Sequence, residues 1–260
     1  MKNITIQNIA GYVVSVIARK IGGRKYCVCC KNDILTWLPH PRAYSQPPLM
    51  KALKVIGSDL INYMCPICHS HDRERHLTLF IQRLPNIIDL TGKSVLHFAP
   101  ERHVLKYLQY ANSSTYICAD LYPSNSNIER VDMQEINYPA NSFDIVIANH
   151  VLEHVVDDRK AIREVSRVLR PGGLAILNIP FSCNNEFTWD DPGINSDYLK
   201  TQLCGQSDHV RLYGKDYFVR FAKCGLIPRI IESSSLFDQD EAIKFGFNPA
   251  EPLMLYQKAY

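Results

Sequence analysis

From Phe143 to Ala148 the chain runs Phe-Asp-Ile-Val-Ile-Ala, almost continuously apolar and rich in β-branched side chains. Such a run reads as a parallel strand covered on both faces. The period then changes. Ala161, Val165, Val168 and Leu169 fall on one helical face, and Lys160, Arg163, Glu164 and Arg167 lie mostly on the other. Asp157 or Asp158 caps this helix, which continues to about Leu169, and Pro171-Gly172-Gly173 stops it and turns the chain. Residues 174–179 form a second buried strand. The whole is a βαβ unit with a right-handed crossover.

The same reading extends outward. Leu77, Phe80, Ile81 and Leu84 share a helical face, and 115–120 is a strand ending in an acid, Asp120. Residues 216–224 read as a helix ended by Gly225, followed by a strand over 226–231 and another over 252–258. Residues 181–216 are polar and connect a strand to a helix. So long a connection suggests a lid or acceptor-binding loop. Within it Asp208, His209, Arg211 and Tyr213 are closely spaced groups suited to acid–base work, to anion binding, or simply to ordering the loop. Arg73, Arg75 and His76 form a second such cluster, either an anion site or a solvated turn paired with Asp72 and Glu74.

Composition adds a metal. Of nine cysteines in 260 residues, five (Cys27, Cys29, Cys30, Cys65, Cys68) fall in the first 68. Cys27 with Cys30, and Cys65 with Cys68, make two C-x-x-C knuckles able to give four thiolates to one tetrahedral zinc. Cys29, His69 and His71 are the alternative ligands. The segment between the knuckles carries Pro39, Pro41, Pro47 and Pro48 and buries little apolar surface, so a metal staple makes physical sense there. The expected organisation is an N-terminal helix over 1–22, a zinc-ribbon-like module over 23–72 and a main domain over 73–260. An odd number of cysteines with metal-type spacing points to a reducing, cytoplasmic setting. No apolar run is long enough to span a bilayer. Residues 4–18 are mildly apolar, interrupted by Gln7 and Asn8, and read as a helix packed on the body rather than a signal peptide. A net charge of +3, with no basic stripe, argues against a nucleic-acid partner.

Phe-Asp-Ile-Val, then Asn-His-Val-Leu-Glu-His, a helix, Val-Leu-Arg-Pro-Gly-Gly and a strand together resemble the middle of a class I S-adenosylmethionine-dependent methyltransferase. The closest flavour is the small-molecule group whose fourth strand ends in Leu-Glu-His. The resemblance implies an α/β fold: a Rossmann-like, seven-stranded, mostly parallel sheet with helices on both faces. Residues 93–101 would be its first strand and turn, 131–133 its third strand and 252–258 its final antiparallel strand. It also implies S-adenosylmethionine as cofactor. The family's first turn is usually rich in glycine. Here His97 replaces the acid, and Ala99, Pro100 and Glu101 stand where Gly-Cys-Gly is common. The chain is similar to a subgroup that pairs a cysteine-rich N-terminal module with this His-Phe-Ala-Pro-Glu turn, with Glu101 taking over the contact to the methionine amino group. Asp120, 19 residues beyond Glu101, is placed to accept both ribose hydroxyls. Leu121 would cover the adenine, Asp132 would bond its amino group and Met133 would stack on it.

Asn149 and His150 follow the fourth strand and should face the methyl group or its acceptor. His154 reads as a helix-start residue or a catalytic one. His150 and His209 are the candidate general bases. The implied reaction is methyl transfer to an oxygen (or nitrogen) of a small-molecule or glycan-precursor acceptor. The rivals are an RNA methyltransferase using the zinc module for RNA, and a non-catalytic binding protein on the same fold.

Overall fold

The computed structural model describes residues 24–260 apart from Tyr110, together with Val13 and Ile17. The helix expected over 1–22 therefore lies outside the described residues, those two positions aside.

The main sheet has seven strands in the order β10-β11-β8-β7-β4-β5-β6. These are β4 (Ser94–Phe98), β5 (Thr115–Asp120), β6 (Glu129–Arg130), β7 (Phe143–Ala148), β8 (Leu169–Ile176), β10 (Leu226–Pro228) and β11 (Leu255–Lys258). Pairings from β6 through β8 are parallel, and β11 runs antiparallel to both its neighbours. Alternation along the strands divides two cores. Leu96, Phe98, Val146 and Ala148 join the cluster that holds Ala161, Val165 and Val168 of α4 (Asp158–Val168) and Tyr217 and Phe221 of α6 (Tyr217–Ala222). Val95, Ile145 and Ile147 point the other way, toward Leu77, Phe80 and Ile81 of α2 (Asp72–Arg83), Val104 and Leu108 of α3 (Arg102–Leu108) and Ala242 of α7 (Gln239–Phe245). The central strands are covered on both sides because their period-2 pattern is apolar on both phases.

Three expectations shift. The third strand is Glu129–Arg130, not 131–133: it pairs with Ala119 and Asp120, after which Asp132 folds into a bridge with Glu135. The Pro171-Gly172-Gly173 stretch is a register irregularity inside β8 rather than a turn before it, between the pairs Phe143–Leu169 and Ile145–Leu174. Strand β10 ends at Pro228, which has no N–H to donate, although the Ile231–Leu253 bridge extends the alignment. The α4 cap is Asp157, whose carboxylate accepts from the Lys160 amide.

The N-terminal module carries a hairpin of β1 (Lys25–Cys27) and β2 (Asn32–Ile34). After it come α1 (Pro48–Ala52) and β3 (Val55–Ile56), which pairs with β9 (Phe181–Ser182) from the 181–216 connection. That connection is ordered and contains α5 (Asp197–Cys204). Among the described residues no helix is long and apolar enough to cross a membrane.

Arg75 bolts the module to the main domain. It is fully buried, lies 3.9 Å over the Trp37 ring and donates to the carbonyls of Asn62, Ser70, Phe245 and Gly246. Gly246 has φ +63°, and a Cβ there would meet the Trp37 indole at 2.2 Å, so this contact admits only glycine. His76 is stacked between Phe80 and Phe247 and bonded to Ser233. Arg75 and His76 are thus structural, whereas Arg73 lines a cavity.

Candidate active site and metal centre

The carboxyl ends of β4, β5 and β7 meet where the strand order reverses, the place where open α/β sheets take their ligands. At the end of β4, Ala99 holds φ +45° with its N–H on the Ala119 carbonyl. The turn keeps a backbone that glycine adopts more readily, at a cost of about 1 kcal/mol. Next, Glu101 starts α3. His97 is fully buried, with Nδ1 2.7 Å from the Tyr116 hydroxyl and Nε2 3.2 Å from Glu101 Oε2. Asn149 Nδ2 donates to Glu101 Oε1 at 2.7 Å. Burial acts to raise the Glu101 pKa, but the bonds and charges of His97 and Arg73 and the Asn149 amide outweigh it, and the carboxyl is held below its ordinary value. His97 is therefore a support for Glu101 rather than a replacement for the acid.

Asn149 Oδ1 is buried without a partner among the described residues. It is a spare acceptor on the side chain that already bonds the Glu101 carboxylate, a pairing whose chemistry suits an ammonium group. Asp120 accepts the Tyr122 amide on Oδ1 at 2.8 Å and is only half-buried, so Oδ2 is open to a diol. Leu121 is exposed beside it. Asp132 is turned onto its own loop, accepting the Gln134 amide and side chain, and Met133 is packed in the core. Both would have to reorient to touch an adenine as expected.

Beyond Asn149, His150 takes φ +56°, and its N–H is bonded to the Asn178 carbonyl. Strained non-glycine residues at the ends of two adjacent strands are typical of sites whose geometry is fixed for a purpose. Its ring lies between two buried carboxylates: Nε2 is 2.7 Å from Glu251 Oε1, and Nδ1 is 3.5 Å from Glu153 Oε1. Burial opposes the charge, but Glu251 and Glu153 outweigh it and raise the His150 pKa to about 10. Both carboxylates are held at about 2 against their own burial. His150 is thus an imidazolium with both nitrogens engaged, which leaves no lone pair for proton abstraction. Glu251 comes from a loop 101 positions later, and nothing in its sequence surroundings announces it.

His209 is different. It is 4% exposed, its Nδ1 lies 2.9 Å from the Cys204 carbonyl, and its Nε2 has no partner among the described residues. The carbonyl can only accept, so Nδ1 carries the proton and Nε2 the lone pair. Burial lowers its pKa further, keeping the ring neutral. Arg73, His150, Glu153, His154, Asp208 and His209 line one cavity of about 300 Å³, floored by Tyr63 and Pro180. Arg211 and Tyr213 stand outside it: they close around Asp158 instead. A larger groove of about 800 Å³ at Lys93, Asp144 and Gly172 lies at the opposite ends of the strands and holds none of the expected site residues.

In the module, one sulfur from each of Cys27, Cys30, Cys65 and Cys68 lies within 4.8 Å of the others. The Cys27–Cys68 and Cys30–Cys65 separations are 3.7 and 4.0 Å, far from disulfide bonding. A tetrahedron of thiolates about 2.3 Å from a zinc ion has edges of about 3.8 Å, so the donor set fits. Each knuckle closes the same way: Lys31 N–H bonds Cys27 O and His69 N–H bonds Cys65 O, with both Lys31 and His69 at positive φ. His71 is 3.2 Å from the Tyr63 hydroxyl and starts α2, and neither it nor His69 nor Cys29 joins the cluster. The knuckles touch the other site through His103 of α3, which bonds Cys68 O and, by its amide, Glu74.

Residues 88–177 match the profile of the family described as Methyltransferase domain. A 27-O-demethylrifamycin SV methyltransferase of Amycolatopsis mediterranei is 49% identical over 113 residues, covering 42% of this chain and 38% of that protein. An uncharacterized methyltransferase of Bacillus subtilis is 26% identical over 140 residues, 51% of this chain and 53% of that protein. The chain thus spans about half or less of the length of these relatives. A solved S-adenosylmethionine-dependent methyltransferase from Mesorhizobium loti superposes with a TM-score of 0.49 at 14% identity, covering 69% of this chain and 98% of that one. Residues 88–177 are thus similar to a methyltransferase domain, and the strand order described above is the arrangement in which such a domain would take its ligand at the switch point.

Proposed function

We propose that this chain transfers the methyl group of S-adenosylmethionine to a hydroxyl oxygen of a small-molecule or glycan-precursor acceptor held in the cavity beyond β7. The observation that carries the reading is the convergence of Glu101, the orphaned Asn149 Oδ1 and Asp120 on one switch point, next to a cavity with a free histidine lone pair. The cofactor supplies an activated methyl electrophile. This chain's residues bind and aim the two partners. Glu101 and Asn149 take the amino group, Asp120 takes the ribose hydroxyls, and Arg73, placed among Glu101, Tyr63 and Glu153, takes a carboxylate. Positioning alone is worth on the order of 7–11 kcal/mol in such a two-substrate step. At the acceptor end the group that acts on the hydroxyl is His209, and the charged His150 orients Glu153. The oxygen acceptor is supported by the name of the Amycolatopsis relative, which specifies an O-methylation of a small molecule.

The four cysteines hold a structural zinc in this reading. The ion secures the module that presses Arg73 and His103 against the cofactor turn. Calorimetric titration of the zinc-loaded protein with S-adenosylhomocysteine tests the cofactor half. The expected result is saturable binding, weakened at least tenfold by Asp120→Ala at unchanged melting temperature. Methyl transfer from labelled cofactor to a panel of hydroxylated small molecules tests the acceptor half.

A further inference from the structure

We propose that Glu153, His154 and His209 form a second metal site, at the acceptor end of the cavity, for a divalent transition-metal cation. One ligand atom from each lies within 4.8 Å of the other two. Two of the three are deeply buried and carry atoms with no partner among the described residues: Glu153 Oε2 and His209 Nε2. A buried carboxylate oxygen and a buried imidazole lone pair left unpaired are costly unless something else satisfies them. A cation does so for both at once.

The surroundings are those of ligands held ready. Ligating histidines characteristically donate their second ring nitrogen to a carbonyl or carboxylate, which fixes the tautomer and raises basicity. His209 Nδ1 is on the Cys204 carbonyl at 2.9 Å. His154 Nδ1 is 3.3 Å from both the carbonyl and the carboxylate of Asp208, so its Nε2 is the open nitrogen. Glu153 keeps its other oxygen toward His150 at 3.5 Å, and its backbone carbonyl accepts from Val210, tying the two halves of the triad together. Binding would draw the donors in to metal–ligand distances of about 2.0–2.2 Å. His154, 35% exposed, stands on the solvent side, which gives the ion an entry path.

Two histidines and one carboxylate leave coordination positions open, and imidazole donors select transition ions over magnesium or calcium. This deepens the methyl-transfer reading and rests on it for its role, though the site itself rests on the geometry alone. The open positions take the acceptor's hydroxyl oxygen, and the cation lowers that hydroxyl's pKa. Its proton leaves to bulk water. The oxygen then forms a bond to the methyl carbon, and the carbon–sulfur bond breaks with its electron pair returning to sulfur as a neutral thioether. His209 acts by holding the cation rather than by taking the proton itself.

The test is a Co(II) titration of full-length protein carrying a single equivalent of zinc, in the cysteine site, read by visible absorption and by metal content. Glu153→Gln and His209→Ala are titrated alongside, with S-adenosylhomocysteine affinity measured on every sample. Expected is saturable uptake of a second metal equivalent with a nitrogen–oxygen ligand spectrum. Each variant should weaken it at least tenfold while leaving the cysteine-bound zinc and the melting temperature in place. Absence of a second equivalent in the wild type, or equal uptake by His209→Ala, overturns the proposal. Co(II) binding without S-adenosylhomocysteine binding would leave the metal site standing and remove the methyl-transfer reading. The reverse result would remove the metal site alone.

Discussion

Two buried charge clusters flank the segment between β7 and α4, and they are finished differently. Around Asp158 both carboxylate oxygens are filled: Arg220 bonds each at 2.7 Å, and the Tyr213 hydroxyl donates at 2.9 Å. Arg211 lies 3.8 Å away and uses its outer nitrogens on the carbonyls of Leu152, Val155 and Val156. Around Glu153, only one turn earlier, a carboxylate oxygen and the His209 lone pair stay open to a cavity. The first arrangement fixes the chain; the second is the one we propose to hold a cation. Burial and charge alone would not separate them. Around Asp158 the unpaired buried side-chain atom among the described residues is Arg211 Nε, 3.8 Å from a carboxylate already filled, whereas around Glu153 a carboxylate oxygen and an imidazole nitrogen are both unpaired.

The largest expected effect that would sharpen this contrast is Asp158→Asn. It leaves Arg211 without its buried carboxylate and Arg220 with only the exposed Asp190, and should cost about 3 kcal/mol in denaturant unfolding. Burial acts to raise the Asp158 pKa, but Arg220 and Arg211 outweigh it and depress it below the ordinary 3.8. Its stabilising contribution is therefore present above about pH 4 and is lost as the pH falls through the depressed value. The variant's unfolding should accordingly be less acid-dependent than the wild type's. A next, smaller effect is His209→Ala. It should alter stability by less than about 1 kcal/mol yet slow methyl transfer on the order of 10²-fold, about 2.7 kcal/mol. Equal stability losses in the two variants would erase the distinction between the clusters. Asp120→Ala should weaken cofactor binding at least tenfold, about 1.4 kcal/mol, in calorimetry. Smallest is Asp132→Asn: because that carboxylate is spent on Gln134, its effect on cofactor affinity should stay under about threefold.

How much of this was legible beforehand follows from how local each signal is. Strands β4, β5 and β7 and helix α4 were readable because burial on one or both faces imposes a period over many residues. Strand β6 was not: its two paired residues, Glu129 and Arg130, are exposed and carry no pattern, while the apolar Val131 and Met133 beside them belong to the core below. The knuckles were legible because a C-x-x-C turn brings two ligands together by itself. The acceptor end was only half legible. His150 and His209 stand out in the sequence, but their roles depend on partners set by the tertiary fold. Glu251 charges the first and Cys204 fixes the tautomer of the second. Arg211 and Tyr213, two and four residues past His209, looked equally chemical and turned out to serve Asp158.

The measurement that tests the central claim most directly is S-adenosylhomocysteine binding to the folded, zinc-loaded wild-type protein, with Asp120→Ala and Asn149→Ala beside it. The account predicts saturable binding at one site, weakened at least tenfold by either substitution with the melting temperature unchanged. A folded wild-type protein that binds no cofactor, or variants that bind as well as it does, would contradict the account.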